Sequence, residues 1–167
     1  MFDRKKETDA DKYIYEAARW ITGSAAEYTK KSLKEYNSNL SVEKIEELSM
    51  QMIPVKLTLL YLFLIIQYED IRPIDILSKK IVDISKQVFR EKNYSDDDIT
   101  ELLADQIYYH EAIMDDIEYI KYTADFFIRS FKDSIDDKEN FLVFLNNQLH
   151  LTRAIFEIAF KTGFIHT

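Results

Sequence analysis

Two glycines, at 23 and 163, and two prolines, at 54 and 73, are all the punctuation that 167 residues carry. A sandwich or barrel needs a turn about every ten residues and draws heavily on Gly and Pro to make it, whereas long helices need almost none. The expected fold is therefore all-α: an antiparallel helical bundle of five helices, or six if Gly23 breaks the first, spanning 1–167 as a single domain with residues 1–8 as an N-terminal arm. A chain of this length buries a sizeable core without disulfide or metal staples. It has no cysteine, which removes disulfide frameworks, thiolate metal sites and cysteine nucleophiles together.

Periodicity places the helices. The first starts near Asp9 and turns Ile14, Ala18, Ile21, Ala25, Tyr28 and Ser32 to one side, with Asn37 to Asn39 ending it in a left-handed cap conformation that Asn tolerates. Gly23 interrupts it, and Ser24 with Glu27 has the spacing of a capping box for a separate second piece. Ser41 is the N-cap of the next helix, which Pro54 must kink or restart. Beyond Pro54 the apolar residues from Val55 to Ile66 surround the helix on all sides, as in a central helix covered all round. Pro73 suits a first turn, and Ile74, Leu77, Ile81, Ile84 and Val88 form a narrow seam behind it. Ser95 with Asp98 opens the longest helix, about 96–132, whose core positions run Ile99, Leu102, Gln106, Tyr109, Ile113 and Ile117. Asp136 with Glu139 opens the last, which carries Phe141, Leu145, Leu149, Phe156 and Ala159 inward and ends at Gly163.

The N-terminus has neither the apolar core nor the cleavage site of a secretory signal. The most apolar run, Ile53 to Ile66, contains Lys56 and is shorter than the roughly twenty residues a bilayer requires. A cytoplasmic location and no membrane association are the expectations.

Charge is distributed unevenly. Residues 93–118 hold nine Asp and Glu and no Lys or Arg, a local charge of -9, while the whole chain carries -8, so the other 141 residues sum to +1. On a helical wheel Asp98, Glu101, Asp105 and Asp116 share one side, and Tyr108 and Tyr119 lean toward it. A solvated face with an acidic first turn accounts for such a block on ordinary grounds. The functional alternative is a docking surface for a basic partner protein, with aromatic side chains beside the carboxylates to receive Arg and Lys. Mimicry of nucleic acid is one version, and direct nucleic-acid binding is disfavoured because the surface repels phosphates. A non-enzymatic regulator, inhibitor or adaptor is the leading functional expectation.

A second reading starts from Gln106 and His110, one turn apart on the apolar side of the same helix. If buried they need partners. Gln148 and Thr152 on the apolar face of the last helix are candidates to face them across a polar pocket that holds a small molecule. Catalytic and metal signatures are incomplete. His110, His150 and His166 fall in unrelated places for a zinc site. No Glu is followed by His three residues on, as di-iron bundles require. Glu43 and Glu46 lack a downstream pair, Asp115 and Asp116 are followed by Tyr119 where isoprenoid enzymes need Asp, and no glycine-rich loop exists. No cofactor or metal and no catalytic residue is assigned. The apolar arc of the last helix is wider than one contact requires, and Phe144, Leu151 and Ile158 on its flank are expected at a homodimer interface.

Overall fold

The computed structural model describes residues 4–67, 74–115 and 138–164, and among these every regular element is an α-helix. The six are α1 (Arg4–Thr22), α2 (Ser24–Tyr36), α3 (Val42–Gln67), α4 (Ile74–Glu91), α5 (Asp96–Asp115) and α6 (Lys138–Thr162). The all-α bundle expected from the scarcity of turn residues is what forms.

Local chemistry explains most of the boundaries. Gly23 does split the first helix, but Ser24 is not its cap: Gly23 itself precedes α2, its carbonyl accepting from the Glu27 N–H at 3.1 Å with no side-chain cap. Asn37 ends α2 in an extended conformation, φ -146°, rather than a left-handed one. The left-handed asparagine is instead Asn93, φ 61°, which closes α4. There the Tyr94 N–H reaches the Phe89 carbonyl at 3.1 Å and the Tyr94 ring stacks on Phe89 at 5.6 Å, the paired backbone and apolar contacts of a Schellman ending. Ser41 and Ser95 cap α3 and α5 as expected, each hydroxyl accepting a backbone N–H, from Lys44 at 3.1 Å and from Asp98 at 3.2 Å. Gly163, φ 88°, ends α6.

Two elements differ from expectation in extent. The helix reaches back into the expected N-terminal arm and begins at Arg4, because residues 4–7 are good helix formers and no Gly or Pro precedes Gly23. Pro54 neither ends nor restarts α3, which is assigned as one helix of 26 residues. The continuation of α5 past Asp115 toward 132, and the Asp136 cap, lie outside the described residues.

Every other helix packs on α3. Its C-terminal half, from Leu57 to Leu64, joins Ile14, Ala17, Ala18 and Ile21 of α1, Leu77, Ile81, Val88 and Phe89 of α4, and Phe156 of α6 in one buried cluster. Its N-terminal half, Leu48, Met52 and Val55, joins Leu33 of α2, Tyr109 of α5 and Phe141 to Leu149 of α6 in a second. The alanines of α1 let α3 and α4 approach closely. Because Phe141 meets the start of α3, and Phe156 and Phe160 meet Phe63 near its end, α6 runs in the same direction as α3. By length and composition α3 is a helix that can cross a membrane, and 67% of its apolar stretch is instead buried inside the bundle.

Candidate functional site

The polar side chains buried around α3 form two groups on opposite flanks. Lys56 and Tyr61 are five residues apart, about 140° around the helix, so what lies beside one does not lie beside the other.

On the flank shared with α2 and α6, Lys56 is 2% exposed. Its ammonium donates to Thr29 Oγ1 at 2.5 Å and reaches the Ala25 carbonyl at 3.5 Å. The Thr29 hydroxyl lies 2.8 Å from the Ala25 carbonyl and 3.3 Å from Gln148 Oε1. No carboxylate faces Lys56 among the described residues, and burial lowers its pKa to about 8. Thr152 is buried one turn beyond Gln148 and returns its hydroxyl to the Gln148 carbonyl at 2.7 Å.

On the flank shared with α4 and α5, His110 is buried with Nδ1 2.7 Å from Ser78 Oγ and its ring stacked on Tyr61 at 4.5 Å. Burial lowers its pKa to about 4, so the ring is neutral at pH 7. Among the described residues His110 Nε2 has no hydrogen-bond partner, and neither has Nε2 or Oε1 of Gln106, one turn earlier and fully buried; Ser85 Oγ on α4 likewise has none.

The expected four-residue pocket is corrected by this arrangement. His110 meets Ser78 of α4 and Tyr61 of α3, while Gln148 meets Thr29 of α2, because α5 and α6 each pack on α3 from different sides. The sequence also places Phe144 at a dimer surface, and this is corrected too: the ring is buried, packed against Tyr36 at 5.4 Å and Phe141 at 6.0 Å. The exposed residue on that turn is its neighbour Val143, rotated about 100° to the outside. Leu151 and Ile158 are exposed as expected, at 41% and 60%.

The acidic row gains a second wall. Asp98, Glu101 and Asp105 line a groove of about 850 Å³ between α3 and α5, opposite Glu46, Glu47, Met50 and Gln51 of α3, with Asn93, Tyr94 and Ser95 at its end and Leu102 in its floor. No Lys or Arg lines it. Lys30 pairs with Glu46 at 3.0 Å and Lys44 with Glu47 at 3.0 Å from outside, but Asp98, Glu101 and Asp105 make no ion pair among the described residues. Burial and then the neighbouring Glu101 raise the pKa of Asp105. Tyr108 is exposed beyond the groove, and Asp116 and Tyr119 lie outside the described residues. Among the described residues no three His, Asp or Glu side chains gather as a metal site would need.

Sequence reasoning missed Lys56, Ser78, Tyr61, Glu46 and Glu47. Lys56 was the readable one: a lone cation in a helix apolar all round, without an acidic residue three or four positions away, has to be buried. Glu46 and Glu47 are fifty residues from Asp98, and only the packing of α3 along α5 joins them. Comparison with protein-family models, with curated proteins and with solved structures gives no match, so the functional reading rests on these residues alone.

Proposed function

We propose that the chain is a non-enzymatic interaction module that receives a basic segment of a partner protein in the groove between α3 and α5. The observation that carries this reading is a concave surface of about 850 Å³ lined by five carboxylates and no cation. Lys44 and Lys30 offset two of the five from outside. The α5 trio is left to an incoming Arg or Lys, whose methylene stem fits against Met50, Leu102 and Tyr94. A solvated acidic face spreads its charge over a convex helix. Here the charge converges, and one of its members, Asp105, is held partly out of water where a cation relieves it.

A fluorescently labelled Arg/Lys-rich peptide is the probe. Binding is expected to weaken steeply with added salt, and the Glu101→Lys, Asp105→Lys double variant is expected to bind at least about tenfold more weakly with unchanged helical circular dichroism. Equal binding by the double variant overturns the reading. Affinity capture from a lysate, wild type against the same variant, then identifies the partner.

A second reading is favoured by Gln106 and His110, whose three unsatisfied buried atoms offer both donors and an acceptor to a small polar molecule. A thermal-shift screen of nucleotides and metabolites tests it: a concentration-dependent rise in melting temperature that disappears in Gln106→Leu supports a ligand, and a flat screen supports a sealed polar seam.

A further inference from the structure

The outer face of α6 carries a pattern that the groove does not use. Glu139, Asn140, Val143, Asn147, His150, Leu151, Ala154, Glu157, Ile158 and Lys161 are all exposed, and at 100° per residue they fall within an arc of about 120°. Val143 and Ile158 are the most open of its apolar side chains, at 59% and 60%. What distinguishes the face is its order. Counted outward from the midpoint between His150 and Leu151, Ala154 is matched by Asn147, Ile158 by Val143 and Lys161 by Asn140, so these eight positions read the same from either end, while Glu157 falls opposite the buried Phe144 and Glu139 opposite Thr162.

We infer that this face pairs with the same face of a second copy of the chain, the two α6 helices running antiparallel about a two-fold axis that passes between His150 and Leu151. A two-fold interface requires self-complementarity, residue i meeting j while j meets i. In this register Val143 meets Ile158 of the other copy, and the reverse contact repeats at the opposite end, so two apolar pairs flank a central Leu151. Ala154, the smallest side chain on the face, meets Asn147 and allows the helices to close. Glu139 stands at one end of the face and Lys161, one turn beyond Glu157, at the other. Antiparallel alignment brings Glu139 beside Lys161 of the other copy twice, whereas parallel alignment sets each against its own like. Phe144, which turns inward to Tyr36, is not needed.

The absence of cysteine from the chain makes the register directly measurable. Under mild oxidation Leu151→Cys is expected to cross-link with itself. Val143→Cys alone and Ile158→Cys alone are expected to cross-link poorly, but an equimolar mixture of the two is expected to give a mixed disulfide. Light scattering of the unmodified chain at micromolar concentration should give about twice 19.9 kDa. Leu151→Glu with Ile158→Glu should return one chain's mass with the circular dichroism retained, since both side chains are already in water. Self-cross-linking of Val143→Cys as strong as that of Leu151→Cys, or a single chain's mass throughout with no cross-link, overturns the inference. So does loss of helicity in the double Glu variant, which would mean that the face is covered within one chain.

Discussion

The two flanks of α3 hold the same kind of problem, a titratable nitrogen taken out of water, and handle it differently. Beside α2 and α6, the Lys56 ammonium has a hydroxyl and a carbonyl within reach, and the hydroxyl in turn has acceptors of its own. Beside α4 and α5, His110 meets Ser78 through Nδ1, and among the described residues its Nε2 and the Gln106 amide one turn earlier have no partner. The first flank is a charged group enclosed by its solvation shell of protein dipoles. The second is a neutral ring in a polar seam that is incompletely paired. Burial is nearly equal at the two sites, so burial is not what separates them; the count of satisfied atoms is.

The largest effects expected from this comparison come at the two ends of the pH scale. The folded chain keeps His110 neutral down to about pH 4, while an unfolded histidine takes up its proton near 6.5. The stability that the neutral ring contributes is therefore complete above pH 6.5 and is lost as pH falls from there to 4, by about 3 kcal/mol at roughly 1.4 kcal/mol per pH unit. Urea unfolding midpoints across that range should show a slope that His110→Phe removes. Lys56 works in the same direction at the other end. Between pH 8 and 10.5 the unfolded chain still holds a proton that the fold has released, so stability rises with pH there, again by about 3 kcal/mol. Lys56→Met should flatten that rise and leave the protein at least as stable at pH 7, since an apolar side chain of similar length needs no solvation. An unchanged alkaline slope would assign the effect to another group.

Smaller effects sharpen the contrast by sign. Thr29→Val takes the nearest acceptor from Lys56 and should cost about 1–3 kcal/mol in chemical unfolding. Gln106→Leu removes an amide that has no partner to lose, and should be neutral or stabilising by about 1 kcal/mol. If both substitutions cost the same, the two flanks are not different in kind. The smallest expected effect is at the groove: Asp105→Asn, which relieves a half-buried carboxylate repelled by Glu101, should raise stability by about 0.5 kcal/mol at most while weakening the basic peptide. Opposite signs for stability and binding at one residue are what a binding site held against local preference produces.

What could be read in the sequence was whatever one helix decides by itself. The scarcity of Gly and Pro, the serines at 41 and 95, the glycine at 163 and the all-round apolar character of α3 each act within a few residues, and each was legible. The row Asp98, Glu101, Asp105 was legible for the same reason, as a wheel pattern on α5. The opposite wall of the groove was not, because Glu46 and Glu47 belong to it only through the way two helices lie together. The same limit explains Gln148: its polarity on an apolar face was visible, but which helix it faces depends on α6 and α5 packing on α3 from different sides. Phe144 and Val143 show how narrow the margin is, since one residue is about 100° of rotation and decides between core and surface.

Lys56 also bears on the order in which the chain is made. When α3 leaves the ribosome, α4, α5 and α6, which pack on it in the finished bundle, are still to be made. For that interval a long apolar helix is presented to the cell in the form that membrane-insertion machinery accepts. A lysine near the middle of such a segment opposes insertion by about 3 kcal/mol. The charge that is awkward to bury in the finished bundle thus marks the nascent helix as one that belongs in water until its neighbours arrive.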